Sequence, residues 1–257
     1  MKKIQLLLST LLVIIGSSFA TSSIAQEVIT LSESPTRIDV SSAISVEIIH
    51  AKKNEMQIRA NQKDLETFSY KLKQGKLTLK RKKGTFSRRN DGSIKVSLYL
   101  TNIKDIKELE VSGASKISFA DRLNNDKLEI DLSGASKADF SGTVDHLMLD
   151  LSGASKINTD GHFKRINVDL SGASKLDITG DFDGLKADIS GASKFTHRGK
   201  GNTISIEISG ASNFNGRKSF IKKASIEASG VSSATIHAHQ IDSSKSGMSS
   251  INVLPYN

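Results

Sequence analysis

The sequence contains no cysteine and no tryptophan, only two prolines, and aromatic side chains at 5%. Without thiols there is no disulfide scaffold, no thiol nucleophile, no zinc–thiolate site and no lipid-bearing cysteine of the bacterial lipoprotein kind. Stability must come from packing and hydrogen bonds. So few aromatic rings also leave little for the stacking platforms that single-stranded nucleic acid binders use. Long apolar runs are missing too: after residue 25 no segment is long enough to span an inner membrane.

The one marked apolar run stands at the start, where Lys2 and Lys3 precede Leu6 to Ile15 and small residues follow to Ala25. The run is short for a bilayer span, and Ser23 and Ala25 are the small residues a signal peptidase requires. Residues 1–25 therefore read as a cleaved secretory signal, with the mature chain starting at Gln26. Removing two lysines lowers the net charge from +9 to +7. The expected location is periplasmic or at the cell surface.

What the sequence has in abundance is repetition. Ser-Gly-Ala-Ser-Lys occurs at Ser112, Ser133, Ser152, Ser171 and Ser190, followed by Ser-Gly-Ala-Ser-Asn at Ser209 and Ser-Gly-Val-Ser-Ser at Ser229. A decayed eighth copy starts at Ser246. The spacings are 21, 19, 19, 19, 19, 20 and 17 residues, and so even a period implies a solenoid. Apolar residues before each copy alternate, as in Ile166, Val168 and Leu170, which is strand periodicity. Alternation resumes after the pentapeptide, at Leu176 and Ile178. The inward parity slips by one between the two, through Ala173, so the chain must turn there. The glycines Gly113, Gly134, Gly153, Gly172, Gly191, Gly210 and Gly230 supply the backbone for that corner, with Ala173 expected to face inward and the serine hydroxyls to bond nearby backbone.

About 19 residues per coil are too few for a strand plus helix with connections. The expected fold is all-β: a single-chain parallel β-helix solenoid, right-handed by the usual rule for parallel connections, with coils about 4.8 Å apart. A left-handed hexapeptide helix would need an aliphatic residue every six positions, whereas here one glycine corner marks each coil. Residues 26–110 show less regular alternation and are expected to form the first coils and a hairpin capping one end, because an open parallel edge invites aggregation. They are expected to be continuous with the glycine-cornered repeats of 111–257. Ile251, Val253 and Leu254 should make the last strand, and the decayed copy a terminal cap.

Two ladders of outward charge accompany the repeats. Two residues before each Ser lies an acid, at Glu110, Asp131, Asp150, Asp169, Asp188, Glu207 and Glu227. Four after it lie Lys116, Lys137, Lys156, Lys175 and Lys194. Stacked like charges repel. An acid ladder could hold cations or grip a polymer of matching repeat; the plainer reading is charge that keeps a strand face soluble. No coil has the clustered Asp and Gly spacing of a calcium loop, and no metal or cofactor is expected.

A third feature is a run of nine basic residues without an acid, Lys71, Lys73, Lys76, Lys80, Arg81, Lys82, Lys83, Arg88 and Arg89. The rest of the chain is nearly neutral, so the basicity is local. It suits an anionic polysaccharide, lipopolysaccharide or a membrane surface, or else is a solvated loop. Nucleic acid is not the expected partner, since the chain is exported and aromatics are not interleaved with the cations. Candidate ligand contacts are Lys80, Arg81, Lys82 and Lys83 with the ladder from Lys116 to Lys194. For catalysis there is little support. The six histidines are scattered, only His237 and His239 share a strand face, and no position is expected to combine a nucleophile or base with an orienting group.

With these repeats, and with the strand at Arg37 to Val40, an Ile44 to Ile58 hairpin and the Leu77 to Leu79 strand, the chain resembles the head GIN domain family of Bacteroidetes, whose members are labelled putative auto-transporter adhesins. That resemblance implies a pectin-lyase-type β-helix without a recognised catalytic set, acting in adhesion to a glycan or cell-surface protein. No membrane barrel follows the repeats in this sequence, so a binding module is the expectation. A carbohydrate-active enzyme of the pectin-lyase-like type is the alternative, by fold analogy.

Overall fold

A computed structural model describes residues 24–82 and 94–256. Seventeen strands form one continuous sheet wound into a solenoid. Before the repeats come β1 (Ile24–Thr30), β2 (Arg37–Val40), β3 (Ile44–His50), β4 (Glu55–Asn61), β5 (Phe68–Lys73), β6 (Lys76–Arg81) and β7 (Ile94–Leu100). The repeat strands are β8 (Glu108–Val111), β9 (Lys116–Phe119), β10 (Leu123–Leu132), β11 (Lys137–Leu151), β12 (Lys156–Leu170), β13 (Lys175–Ile189), β14 (Lys194–Ile208), β15 (Asn213–Ala228), β16 (Ser233–Lys245) and β17 (Ser250–Leu254). A short helix, α1 (Gln62–Thr67), lies between β4 and β5, and a single 3-10 turn, Ile103–Asp105, between β7 and β8; Asn61 caps α1 by accepting the Asp64 N–H at 2.8 Å.

Each pentapeptide sits between two of these strands, as expected, and neighbouring coils pair in parallel and in step: Lys137 faces Lys156, Gly142 faces Gly161 and Leu151 faces Leu170. Residues of inward parity, such as Ile157, Phe163, Ile166 and Leu170, are buried along the axis. At the corner the structure corrects the expected parity: Ala173 is exposed and Ser174 is the residue that turns inward. Gly172 has φ +69°, a left-handed conformation that rotates the following peptide away from the alternation. The Ser174 hydroxyl then donates to the Ser171 carbonyl at 2.7 Å, and Ala173 N–H donates to the Gly153 carbonyl one coil below, also at 2.7 Å. Buried serines and exposed alanines stack in two separate rows.

A second glycine row was not anticipated. Gly142, Gly161 and Gly180 lie opposite one another on successive coils, and Gly199 continues the row with φ +139°. Four coils thus carry two glycine bends rather than one. The spacing of 19 between these glycines is present in the sequence.

Chain order and spatial order diverge at the N-terminal end. β2 pairs in parallel with β6 on one side and β8 on the other, and β3 with β7 and β9. The coil made by β6 and β7 therefore stacks outside the coil made by β2 and β3. Its outer edge is covered by antiparallel strands, β5 on β6 and β4 on β7, with β1 on β4. Segment 44–58 is consequently not a hairpin, because β7 lies between β3 and β4. The hairpin is β5–β6, turned at Gln74 and Gly75, which both have positive φ as a two-residue turn demands. At the other end β17 is indeed the last strand, and among the described residues it pairs with β16 alone.

Candidate functional site

The register converts the sequence ladders into surface rows. Asp39 faces Glu110, Glu110 faces Asp131, and the row continues through Asp150, Asp169, Asp188 and Glu207 to Glu227. The row borders two shallow hollows floored by corner serines. One, of about 480 Å³, lies at Asp188, Glu207 and Glu227; the other, of about 340 Å³, at Asp39, Glu110, Asp131 and Asp150. Partial burial raises the Asp131 carboxyl above the usual range, and the carboxylates of Asp150, Glu129 and Glu110 add to the effect. Asp169 is raised likewise, by burial and by Asp150 and Asp188. Glu110 behaves oppositely: the Lys76 ammonium donates to both its oxygens, at 3.0 and 2.9 Å, and holds it low. No group of three or more metal-ligating side chains among the described residues is arranged to hold an ion.

On the other side of the corner the lysine row runs from Lys116 through Lys137, Lys156 and Lys175 to Lys194, again in register. Three of the five are partly neutralised within the chain. Lys116 and Lys137 reach Asp139 at 3.3 and 3.0 Å, and Lys175 reaches Asp177 at 3.2 Å. Burial pushes the Asp139 carboxyl up, but hydrogen bonds from Asn158 and Lys137 outweigh it and leave it below the usual range. Such exposed pairs hold their partners loosely.

The basic run divides by environment. Antiparallel pairing of Lys73 with Lys76, Lys71 with Thr78 and Ser69 with Lys80 puts Lys71, Lys73, Lys76 and Lys80 on one outer face of the β5–β6 hairpin. Lys82 is exposed just beyond it, its ammonium donating to the Glu66 carbonyl. Arg81 does not belong to that surface. Its side chain is 5% exposed and paired at 2.5 Å with Asp64, itself 6% exposed, and it donates to the Ser42 carbonyl at 3.2 Å. It anchors α1 to the corner of the β2–β3 coil, so as a ligand contact it is corrected: strand parity points it inward. Lys83, Arg88 and Arg89 lie outside the described residues.

The structure also brings together a pair that sequence reasoning missed. His197 Nδ1 lies 2.6 Å from Ser219 Oγ, and His197 Nε2 lies 2.9 Å from the Gly180 carbonyl. A serine, a base and an orienting acceptor are the elements of an activated nucleophile. Both side chains, however, are completely buried, and burial drives the imidazole down to about 4, so substrate has no access. The pair satisfies polar groups where Ser219 takes the position after Gly199 in the second bend row. His237, the other candidate, has its ring nitrogens 2.5 and 3.0 Å from the carbonyls of Pro255 and Arg217 and stacks on Phe220, while His239 on the same strand face meets the Tyr256 ring edge-on, with centroids 5.7 Å apart.

Among curated proteins none matches the sequence. Solved structures of similar fold include a putative adhesin from Parabacteroides merdae, with 13% identity over 90% of this chain and 96% of that one and a TM-score of 0.75. Another, from Parabacteroides distasonis, has 14% identity over 91% and 98% and a TM-score of 0.78. A third, from Bacteroides fragilis, has 15% identity over 91% and 98% and a TM-score of 0.69. Identities this low speak for the fold alone. The sequence itself matches the family model described as "Putative auto-transporter adhesin, head GIN domain" over residues 34–180 and 163–254, and the chain belongs to that family.

Proposed function

We propose that the protein is an exported, non-enzymatic adhesion module that holds an anionic polysaccharide through the outer face of the β5–β6 hairpin. The observation that carries this reading is the gathering of Lys71, Lys73 and Lys80 on one exposed sheet face, with Lys82 beside it. Cations crowded on a rigid two-stranded ribbon present a local positive field that a polyanion neutralises without needing a pocket. The hollows along the acid row are shallow and lined by carboxylates, which would repel a polyanion there. Export rests on the leader, whose cleavage after Ala25 would remove Ile24 and Ala25 from β1 and leave the pairs from Gln26↔Arg59 to Thr30↔Glu55.

The test is retention of the mature protein on immobilised polyanionic and neutral polysaccharides over a salt series. Binding to the polyanion alone, falling steeply once the screening length shortens below about 8 Å, supports the reading. Equal binding to neutral polysaccharide, or none to either, ends it. Protease shaving of intact cells tests the surface location, and sequencing of the exported chain tests the Gln26 start.

A further inference from the structure

We infer that the glycine-alanine corner ridge is a self-association surface on which two copies of this chain pack side by side, parallel and coil against coil. The ridge is made of the exposed corner residues, from Gly113 and Ala114 upward. Its last two members are larger and apolar: Val231 is 60% exposed and Met248 78% exposed. Val231 and Met248 stand on adjacent coils, where Met248 N–H donates to the Gly230 carbonyl, so they form a small exposed apolar patch at the end of a row that elsewhere holds alanine, and small residues allow two backbones to approach closely.

The flanks of the ridge decide the partner. The acid row lies two residues before each corner serine and the lysine row four after, so the ridge separates a negative border from a positive one. Among the described residues Asp131, Asp150, Asp169 and Asp188 make no ion pair within their own chain, and neither do Lys156 and Lys194. Rotating a second copy about a two-fold axis running along the ridge sets acid row against lysine row on both flanks. A two-fold axis across the ridge sets acid on acid, which repels. Charge therefore selects the parallel arrangement, and an isologous contact of this kind closes as a dimer. In register, Glu110 of one copy meets Lys116 of the other in the first repeat coil, and Asp188 meets Lys194 in the fifth. Where the lysine row has given way to Ser233 and Ser250, Val231 and Met248 take over at the corner, so apolar contact continues the seam that charge begins.

Absence of cysteine makes the geometry directly readable. In a parallel dimer a residue on the ridge faces its own counterpart, so Ala114→Cys and Ala211→Cys should each give a covalent dimer on mild oxidation, while a mixture of the two gives no 114–211 link. Thr143→Cys, exposed but off the ridge, should give none. In sedimentation, wild type should show twice the monomer mass at low salt and lose it at high salt. Changing Lys137, Lys156 and Lys175 to Glu, or Asp131, Asp150 and Asp169 to Lys, should leave monomers, and mixing the two variants should restore the doubled mass. That rescue separates loss of contact from loss of folding. Wild type sedimenting as a monomer at every concentration, a preferred 114–211 link, or a dimer that survives both reversals would each overturn the proposal. None of these measurements involves polysaccharide, so they leave the hairpin reading untouched.

Discussion

A β-carbon on Gly180 would lie 1.7 Å from the carbonyl oxygen of Gly161, one coil below. No rotamer relieves such an overlap, because the clash is with backbone. At the corner row the same addition on Gly172 meets the Gly153 carbonyl oxygen at 2.7 Å, together with a φ of +69° that side chains rarely adopt. From Gly142 to Gly199, as at the corner glycines, a β-carbon would thus meet the backbone of the coil below, more severely at the second bend. Gly172→Val should cost a few kcal/mol of unfolding free energy. Gly180→Ala, although smaller, should cost more than Gly172→Ala. Denaturant titrations of the variants check the order, and an alanine at 180 with wild-type stability would contradict the stacking.

Stability should depend on pH through His197. Its folded value, near 4, lies below the ordinary 6.5, so the neutral imidazole is favoured in the folded state. The contribution is complete above pH 6.5 and is lost as pH falls toward 4, amounting to about 3 kcal/mol over that window. The raised carboxyls of Asp131 and Asp169 act in the opposite sense, since burial and then the neighbouring carboxylates favour their protonated forms in the folded state. His197→Gln should therefore flatten the unfolding free energy between pH 6.5 and 4. A wild-type curve already flat there would mean that the ring reaches solvent.

Reversing the hairpin lysines and truncating Arg81 should have different effects. Lys71, Lys73, Lys80 and Lys82 to Glu should keep the fold and abolish retention on polyanionic polysaccharide. Arg81→Ala should leave Asp64 buried without its cation, costing about 3–5 kcal/mol, with no direct effect on the outer face. Equal loss of binding without unfolding in the Arg81 variant would mean that the guanidinium reaches the ligand after all.

No turnover is expected on pectin, alginate or hexosaminoglycans, because the one serine–histidine pair among the described residues, Ser219 and His197, is sealed in the core. Product release abolished by changing Asp150, Asp169 or Asp188 would make the acid row a reaction centre and overturn the binding-module reading.

Much of this architecture is legible in the sequence because each coil repeats the last, so period, corner and ladder reinforce one another seven times. What escaped reading lies where local rules compete. Ala173 counts as apolar and so was expected inward, yet the left-handed backbone at Gly172 takes two residues out of the alternation. Arg81 sits in a run of cations that looks solvated, and its partner Asp64 stands 17 positions upstream on α1, where no periodic signal points. β7 slips between β3 and β4 although those two are neighbours in sequence, and neighbours usually pair. His197 replaces an aliphatic residue, sitting opposite Ile178, and only three-dimensional proximity to Ser219 and the Gly180 carbonyl explains how its nitrogens are satisfied.

Because each coil in the repeats is paired only to the one before and the one after, the length of the molecule is quantised. A chain lacking residues 152–170 would join Leu151 to Ser171, presenting the next corner in the same phase. Acid, glycine and lysine would stay aligned along the whole surface, and the molecule would shorten by one step of about 4.8 Å. Insertion of one more unit would lengthen it by the same step. The repeats are thus a ruler whose reach can be reset by unequal exchange of genetic material, with the hairpin carried at one end unchanged.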